Sequence, residues 1–374
     1  MKGYEYSISN TPEIAMAFQA HVPFRWRGLP GVGKSAALTS IGDQLGYHVE
    51  VVVAANFDPT ELGGLPIVEK GQVRRQPGVW LNNIKRALDQ GKKCLAFFDE
   101  FGNAPHATQS AALLGFQLGR WGDETLPREL VTYGIADNPV EASAGGWGLA
   151  APTANRFTHY NAEVNQSAWI EGMLGNWKHI PVPVLPANWR KHIPQAQAVI
   201  TSFINAHRSS LHVMPKEDAL RDWGWPSPRS WGDLGGNLLA AAMSVDADDS
   251  LQTSLLAGAV GEAKALEFVR WKREQDLPDP EMLLAHPEKF VAPKELDRLF
   301  AILSSVFAAI QSNMTPPRWK AGWKICAIAA KSKIDLAVNF GDKLCNNRPK
   351  GEQTPKEELM ELYPFLKKAH FITV

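Results

Sequence analysis

Apolar residues in the first half of the chain fall into two alternating patterns. Short runs of four to six residues with a strand's character are separated by longer stretches with an apolar residue every third or fourth position. Val22 to Arg27 reads as a strand. Lys34 to Leu45 reads as a helix, with Leu38, Ile41 and Leu45 on one face and Gly46 as its stop. His48 to Val53 is a second strand and Val79 to Leu88 a second helix. Cys94-Leu95-Ala96-Phe97-Phe98 is apolar throughout, which suits a strand covered on both faces. Pro105 to Leu118 is helical again, and Leu130 to Ala136 is a further strand. Strands and helices alternating at this spacing predict a wound parallel sheet.

Beyond about residue 180 the strand pattern fades. Pro181, Pro183 and Pro186 form a stiff connector. Helical stripes follow: Val199, Ile200, Phe203 and Ile204; Trp231, Leu234 and Leu238; then a long one from Leu296 to Ile310. Leu277-Pro278-Asp279-Pro280 marks a second boundary. The expected organisation is an α/β core over 1–180, a helical lid over 181–275, and a helical C-terminal extension over 276–374. A chain of 374 residues, about 2.5 times a 150-residue domain, has room for these parts.

Composition removes several classes. Lys and Arg number 39 and Asp and Glu 39, so the formal charge is zero. A neutral chain is poorly suited to coat nucleic acid or an anionic membrane as a whole. The three cysteines, Cys94, Cys326 and Cys345, include no C-x-x-C, which argues against a disulfide framework or a cysteine zinc site. The ten histidines form no H-x-H or H-E-x-x-H. The start of the chain lacks a signal peptide's apolar stretch, and no run approaches a membrane span. A reduced, cytoplasmic protein is expected.

Gly28-Leu29-Pro30-Gly31-Val32-Gly33-Lys34-Ser35 fits G-x-x-x-x-G-K-[ST] in full, between a strand and a helix. The loop from Gly28 through Pro30, Gly31, Val32 and Gly33 to Ala36 would cradle phosphates at the helix N-terminus with its backbone N–H groups, which every residue but Pro30 carries. Lys34 would reach the β/γ-phosphates and the Ser35 hydroxyl would ligate Mg²⁺. Arg25 and Arg27 alternate on the preceding strand, where buried guanidiniums need partners that the sequence does not identify. The apolar strand ends at Asp99-Glu100, 65 residues after Lys34. Ligands of open α/β sheets lie at the carboxyl ends of strands. Asp99 can therefore hold Mg²⁺ through water, and Glu100 can orient and polarise an attacking water. No N-K-x-D guanine signature is present, so ATP is the expected nucleotide.

These residues resemble the AAA+ ATPases, and within them the MoxR group, from about residue 20 to 270. Asp99 to Pro105, with Gln109 to Leu114 beyond, is similar to the family's Walker B segment and its helix. Ile135-Ala136-Asp137-Asn138-Pro139 resembles the strand carrying the sensor-1 asparagine, here Asn138. Asn155-Arg156-Phe157 stands where the family places its arginine finger, with Arg120 and Arg128 as rivals. Trp225 to Trp231 resembles the sensor-2 segment, with Arg229 following Ser227 as N-cap and Pro228 as first helical residue. The resemblance implies Mg²⁺-dependent ATP hydrolysis in a ring, hexameric in expectation, that remodels a protein partner in the manner of a chaperone. It also implies a von Willebrand factor A (VWA) partner, which must lie on another chain because D-x-S-x-S is absent here. Gly102 and Asn103 depart from the family's Asn-Arg, and residues 140–153 are unusually rich in Gly and Ala.

The alternative is a nucleic-acid motor or loader. Arg318-Trp319-Lys320, Trp323-Lys324 and Lys331-Ser332-Lys333 interleave aromatic and basic residues as a nucleic-acid surface would, although Trp319 and Trp323 also fit a buried stripe. Of the thirteen tryptophans, Trp223, Trp225 and Trp231 read as core rather than as a platform for bases. Asp246, Asp248 and Asp249 read as a solvated loop.

Overall fold

The computed structural model describes residues 7–76, 78–139, 148–176, 182–353, 355 and 360. Nine strands are present among them: β1 (Phe24–Arg27), β2 (His48–Val53), β3 (Leu65–Glu69), β4 (Gln72–Gln76), β5 (Cys94–Asp99), β6 (Arg120–Trp121), β7 (Glu124–Thr125), β8 (Val131–Asp137) and β9 (Thr158–Asn161). Five of them form one sheet in the order β2-β5-β8-β1-β9. Every neighbouring pair in it is parallel. β3–β4 and β6–β7 are separate antiparallel hairpins. The sheet order reverses beside β1, so the loop after β1 opens at the crevice where ligands of wound sheets bind.

Helices α1 (Thr11–Gln19), α2 (Lys34–Leu45), α3 (Pro59–Gly63), α4 (Val79–Asp89) and α5 (His106–Leu118) flank the strands. α2 ends as its sequence requires, with Gly46 at φ 71° in the left-handed region. β5 is buried from Cys94 to Phe98. Against it packs an aromatic cluster in which Trp80, Phe116 and Trp121 surround Phe98 at centroid separations of 5.2–5.5 Å. Each such ring removes a large apolar area from water, and edge-to-face pairs add about 0.5–1.5 kcal/mol beyond that burial. The fold is α/β, a wound parallel sheet with flanking helices and a helical C-terminal region.

The chain divides into two compact units, 1–187 with 212–265, and 188–211 with 266–374. This grouping cuts across the boundaries expected at 180 and 275. Ile193–Ala206 carries an apolar stripe that packs on Leu296–Ser312, which draws it into the second unit, while 212–265 packs with the sheet. The second unit has its own core around Leu299, Val306, Ile310, Trp319, Trp323 and Phe340. The side chain of Trp319 is 0% exposed, and its Nε1–H donates to the Leu344 carbonyl at 2.8 Å. Arg318 pairs with Glu281 through both terminal guanidinium nitrogens, Nη1 and Nη2. Trp319 and Trp323 are therefore core, and beside them Arg318 and Lys320 are paired with Glu281 and Glu352. All three cysteines are free. Among the described residues no helix is long and apolar enough to cross a membrane.

Candidate functional site

β1 ends at Arg27, and the next six residues turn back to open α2 at Lys34. The turn needs positive φ at Gly31 (80°) and Gly33 (94°), which side-chain-bearing residues rarely adopt. Gly28 has a different reason: a Cβ there would lie 2.3 Å from the Ala162 carbonyl oxygen. The backbone N–H of Gly28 donates to the Asp137 carbonyl at 3.1 Å, which joins the start of the loop to the end of β8.

Pro30, Gly31, Gly33, Lys34, Ser35, Ala36, Asp99, Glu100 and Asn138 line one cavity of about 250 Å³. Three strand ends thus deliver their residues to a common place: β1 through the loop, β5 through Asp99-Glu100 and β8 through Asn138. Lys34 is 8% exposed. Its ammonium donates to the carbonyls of Gly28 (2.7 Å) and Leu29 (3.1 Å) and approaches Asn138 Oδ1 at 3.4 Å. Burial pushes its pKa below the ordinary value, with Asp99, Asp137 and Glu100 pulling back. Such an ammonium is short of negative charge, and phosphate oxygens would supply it.

The Ser35 hydroxyl donates to Asp99 Oδ2, so a hydroxyl and a carboxylate stand together as hard oxygen donors. That donor set fits Mg²⁺, which takes one or two protein oxygens and completes its shell with water and phosphate. Asp99 Oδ1 accepts from the Glu100 N–H at 3.0 Å. Glu100 is exposed and has φ 55°, an uncommon left-handed conformation for a side-chain-bearing residue. The strained turn directs the chain out of β5 at the cavity.

A second cavity of about 580 Å³ adjoins the first across the loop, lined among others by Gly28, Leu29, Val32, Ala162, Val164 and Trp223. Val32 thus faces this cavity rather than the first. Trp225 and Trp231 are buried, as expected, but Trp223 is a wall of this cavity and lies under the Arg27 guanidinium at 5.0 Å from its centroid. The sequence reading places it in the core with the other two. Its only local signal was its position just ahead of the Trp225–Trp231 segment.

Arg156 and Arg229 lie outside the first cavity. Arg156 donates to Gln117 Oε1 from Nε (3.4 Å) and Nη2 (3.1 Å) and to the Pro152 carbonyl from Nη1. Burial lowers its pKa, and the charge of Arg229 lowers it further, so the two guanidiniums feel each other. Their segments are joined by buried hydrogen bonds. Ser227 Oγ donates to Asn155 Oδ1 (2.8 Å), and Asn155 Nδ2 donates to the Trp225 carbonyl (3.3 Å). Ser227 also caps its helix, accepting from the Ser230 N–H at 3.1 Å. Arg120 and Arg128 are exposed. The glycines at 145 and 146 lie outside the described residues.

No protein-family profile matches the chain. It is similar to Midasin of Giardia intestinalis, 27% identical over 188 residues, which are 48% of this chain. They span only 4% of that much longer protein. Among solved structures, a candidate ATPase from Cytophaga hutchinsonii aligns with 70% of this chain and 87% of its own at 13% identity and a TM-score of 0.40.

Proposed function

We propose that this chain is a subunit of a ring-forming AAA+ ATPase of the MoxR type, which uses Mg²⁺-dependent ATP hydrolysis to remodel a protein partner. The observation that carries the reading is the single cavity into which the phosphate loop, Asp99, Glu100 and Asn138 converge. The loop N–H groups and Lys34 bind the phosphates. Ser35 and Asp99 would hold the metal ion, which supplies charge for the phosphates when bound. Glu100 takes a proton from the attacking water, and the Asn138 side chain orients that water or the γ-phosphate. The more apolar neighbouring cavity has the size and lining for the adenine base. Arg156 serves a neighbouring subunit's nucleotide, and Arg229 senses phosphate from the helical segment. Such a head-to-tail contact closes into a ring, proposed to be hexameric.

A protein partner, VWA-bearing and on a separate chain, is preferred to nucleic acid. The burial of Trp319 and Trp323 and the Arg318–Glu281 pair support that choice, because they remove the aromatic–basic surface the alternative needs. The test is steady-state ATP hydrolysis by the purified protein with Mg²⁺, alone, with a co-purifying protein, and with single-stranded DNA. Stimulation by the protein alone is expected. Stimulation by DNA that collapses with added salt would favour the motor reading.

A further inference from the structure

The two arginines of β1 find their partners in a buried charge cluster. We propose that Arg25, Asp137 and Asp222 form a positioning cluster that locks the end of β8, and with it Asn138, to the segment running through Trp223 to Arg229. Turnover in the cavity and the posture of that segment are then set together. The proposal rests on reading the Lys34 cavity as the nucleotide site.

Arg25 is 1% exposed. Its Nε reaches both Asp137 carboxylate oxygens at 2.9 Å, and its Nη2 lies 2.7 Å from Asp137 Oδ2. The other side of the same guanidinium holds Asp222, with Nη1 at 2.5 Å from its carbonyl and 2.9 Å from Oδ1, and Nη2 at 3.2 Å from Oδ2. Arg27 Nη1 stands 3.6 Å from Asp222 Oδ2, so two arginines meet two aspartates and the charges balance. His159 lies alongside and adds no charge. Burial, reinforced by Arg25 and Arg27, pushes its pKa down to about 3, and Nε2 bonds the Ala154 carbonyl.

Each member leads to a functional segment. The Asp137 carbonyl accepts from the first residue of the phosphate loop, and Asn138 follows directly in the chain. Asp222 Oδ1 accepts from the Leu149 N–H at 2.9 Å, at the start of the stretch that leads to Arg156. Trp223, next to Asp222, walls the second cavity beneath Arg27. Gly102, three residues past Asp99, leaves the space the cluster needs, since a Cβ there would sit 2.8 Å from Asp137 Oδ2. The glycine that departs from the family pattern is thus matched to Asp137.

A buried ionic cluster is weak evidence for stability, because well-packed apolar residues often serve as well or better. What a guanidinium fork holding two carboxylates supplies is fixed geometry. Geometry matters here because misplacement of a reacting group by 1 Å can cost about 10²-fold in rate.

Asp222→Asn is the gentlest test. Asp222 is 14% exposed, its amide replacement can still accept from Leu149, and the Arg25–Asp137 pair stays intact. Arg25→Lys is the companion, keeping charge but losing the fork. Both should lower kcat by roughly 10–100-fold while ATP Kd stays within about threefold; Asp222→Asn should melt close to the wild type, and Arg25→Lys, which loosens a buried fork, below it. Hydrogen exchange of peptides spanning 222–231 should respond to a non-hydrolysable ATP analogue in the wild type and lose that response in Asp222→Asn. Unchanged turnover and exchange in both variants would overturn the proposal. So would parallel loss of melting temperature, ATP affinity and turnover, which is the mark of a merely structural cluster. If instead the wild type binds no ATP, the reading of the cavity itself has failed and the proposal falls with it.

Discussion

Lys34→Met replaces the most costly charge in the cavity with an apolar chain of similar length. In the nucleotide-free protein that ammonium is 8% exposed and satisfied only by two carbonyls and, more distantly, Asn138. Burial outweighs the attraction of Asp99, Asp137 and Glu100, so the pKa is lowered and the charged form is net disfavoured. The variant should therefore melt at or slightly above the wild type without nucleotide. With ATP the order reverses. At a hundredfold excess over Kd, ligand binding stabilises by about 2.7 kcal/mol. At roughly 2–4 °C per kcal/mol for a unit of this size, the wild type should gain about 5–11 °C, and the variant should gain almost nothing. The assay is a thermal melt with and without Mg-ATP, supported by direct titration of binding. The pH dependence has a definite sign. The unfolded chain holds the lysine proton up to its ordinary pKa of 10.5, whereas the folded chain releases it earlier. In that alkaline window the unfolded state binds more protons, so wild-type stability rises with pH by this contribution, which Lys34→Met removes. Phosphate would restore the higher pKa, so ATP affinity should fall as pH rises through the same window. An undiminished ATP shift in Lys34→Met, or a nucleotide-free variant melting several degrees lower, would refute the reasoning.

Glu100→Gln should bind Mg-ATP with near-normal affinity but hydrolyse it about 10²–10⁴-fold more slowly, as measured by single-turnover kinetics. Unchanged turnover would remove Glu100 from its role. Arg156→Ala should keep ATP binding but lose turnover and nucleotide-stabilised assembly, read by scattering mass measurements. Mixing Arg156→Ala with Lys34→Ala subunits should recover part of the activity, because some interfaces then join an intact pocket to an intact finger. If co-assembled mixtures stay inactive, the finger lies elsewhere, with Arg120 or Arg128 next to be tried.

Much of the cavity was legible because its signals are local. The loop glycines, Lys34 and Ser35 are contiguous, and a strand ending in Asp99-Glu100 is visible as an apolar run cut off by charge. The same holds for α2, whose limits Lys34 and Leu45 follow from a glycine on either side, and for β2, whose limits also agree with the sequence reading. β9 was not legible. Its four residues, Thr-His-Tyr-Asn, show no apolar alternation, and the strand is covered by tertiary contacts such as the Tyr160 hydroxyl donating to the Leu255 carbonyl at 3.1 Å. The hairpin β3–β4 escaped for the opposite reason: every residue in it is exposed, so no buried face imprints a pattern.

The sequence by itself determined the phosphate loop, the acidic pair, the alternation of strand and helix, and the neutral, cysteine-poor character of the chain, since each depends on residue type and near neighbours. Only the tertiary structure decided what those residues meet. Arg25 bonds residues 112 and 197 positions away, a pairing that no window of sequence contains. Ile193–Ala206 joins the C-terminal helices because its stripe fits theirs, and Trp319 is core because Leu344 covers its indole N–H. Periodicity states that a side chain is to be buried, but the partner that buries it is set by the closure of loops tens to hundreds of residues long. That closure costs entropy that local patterns do not record.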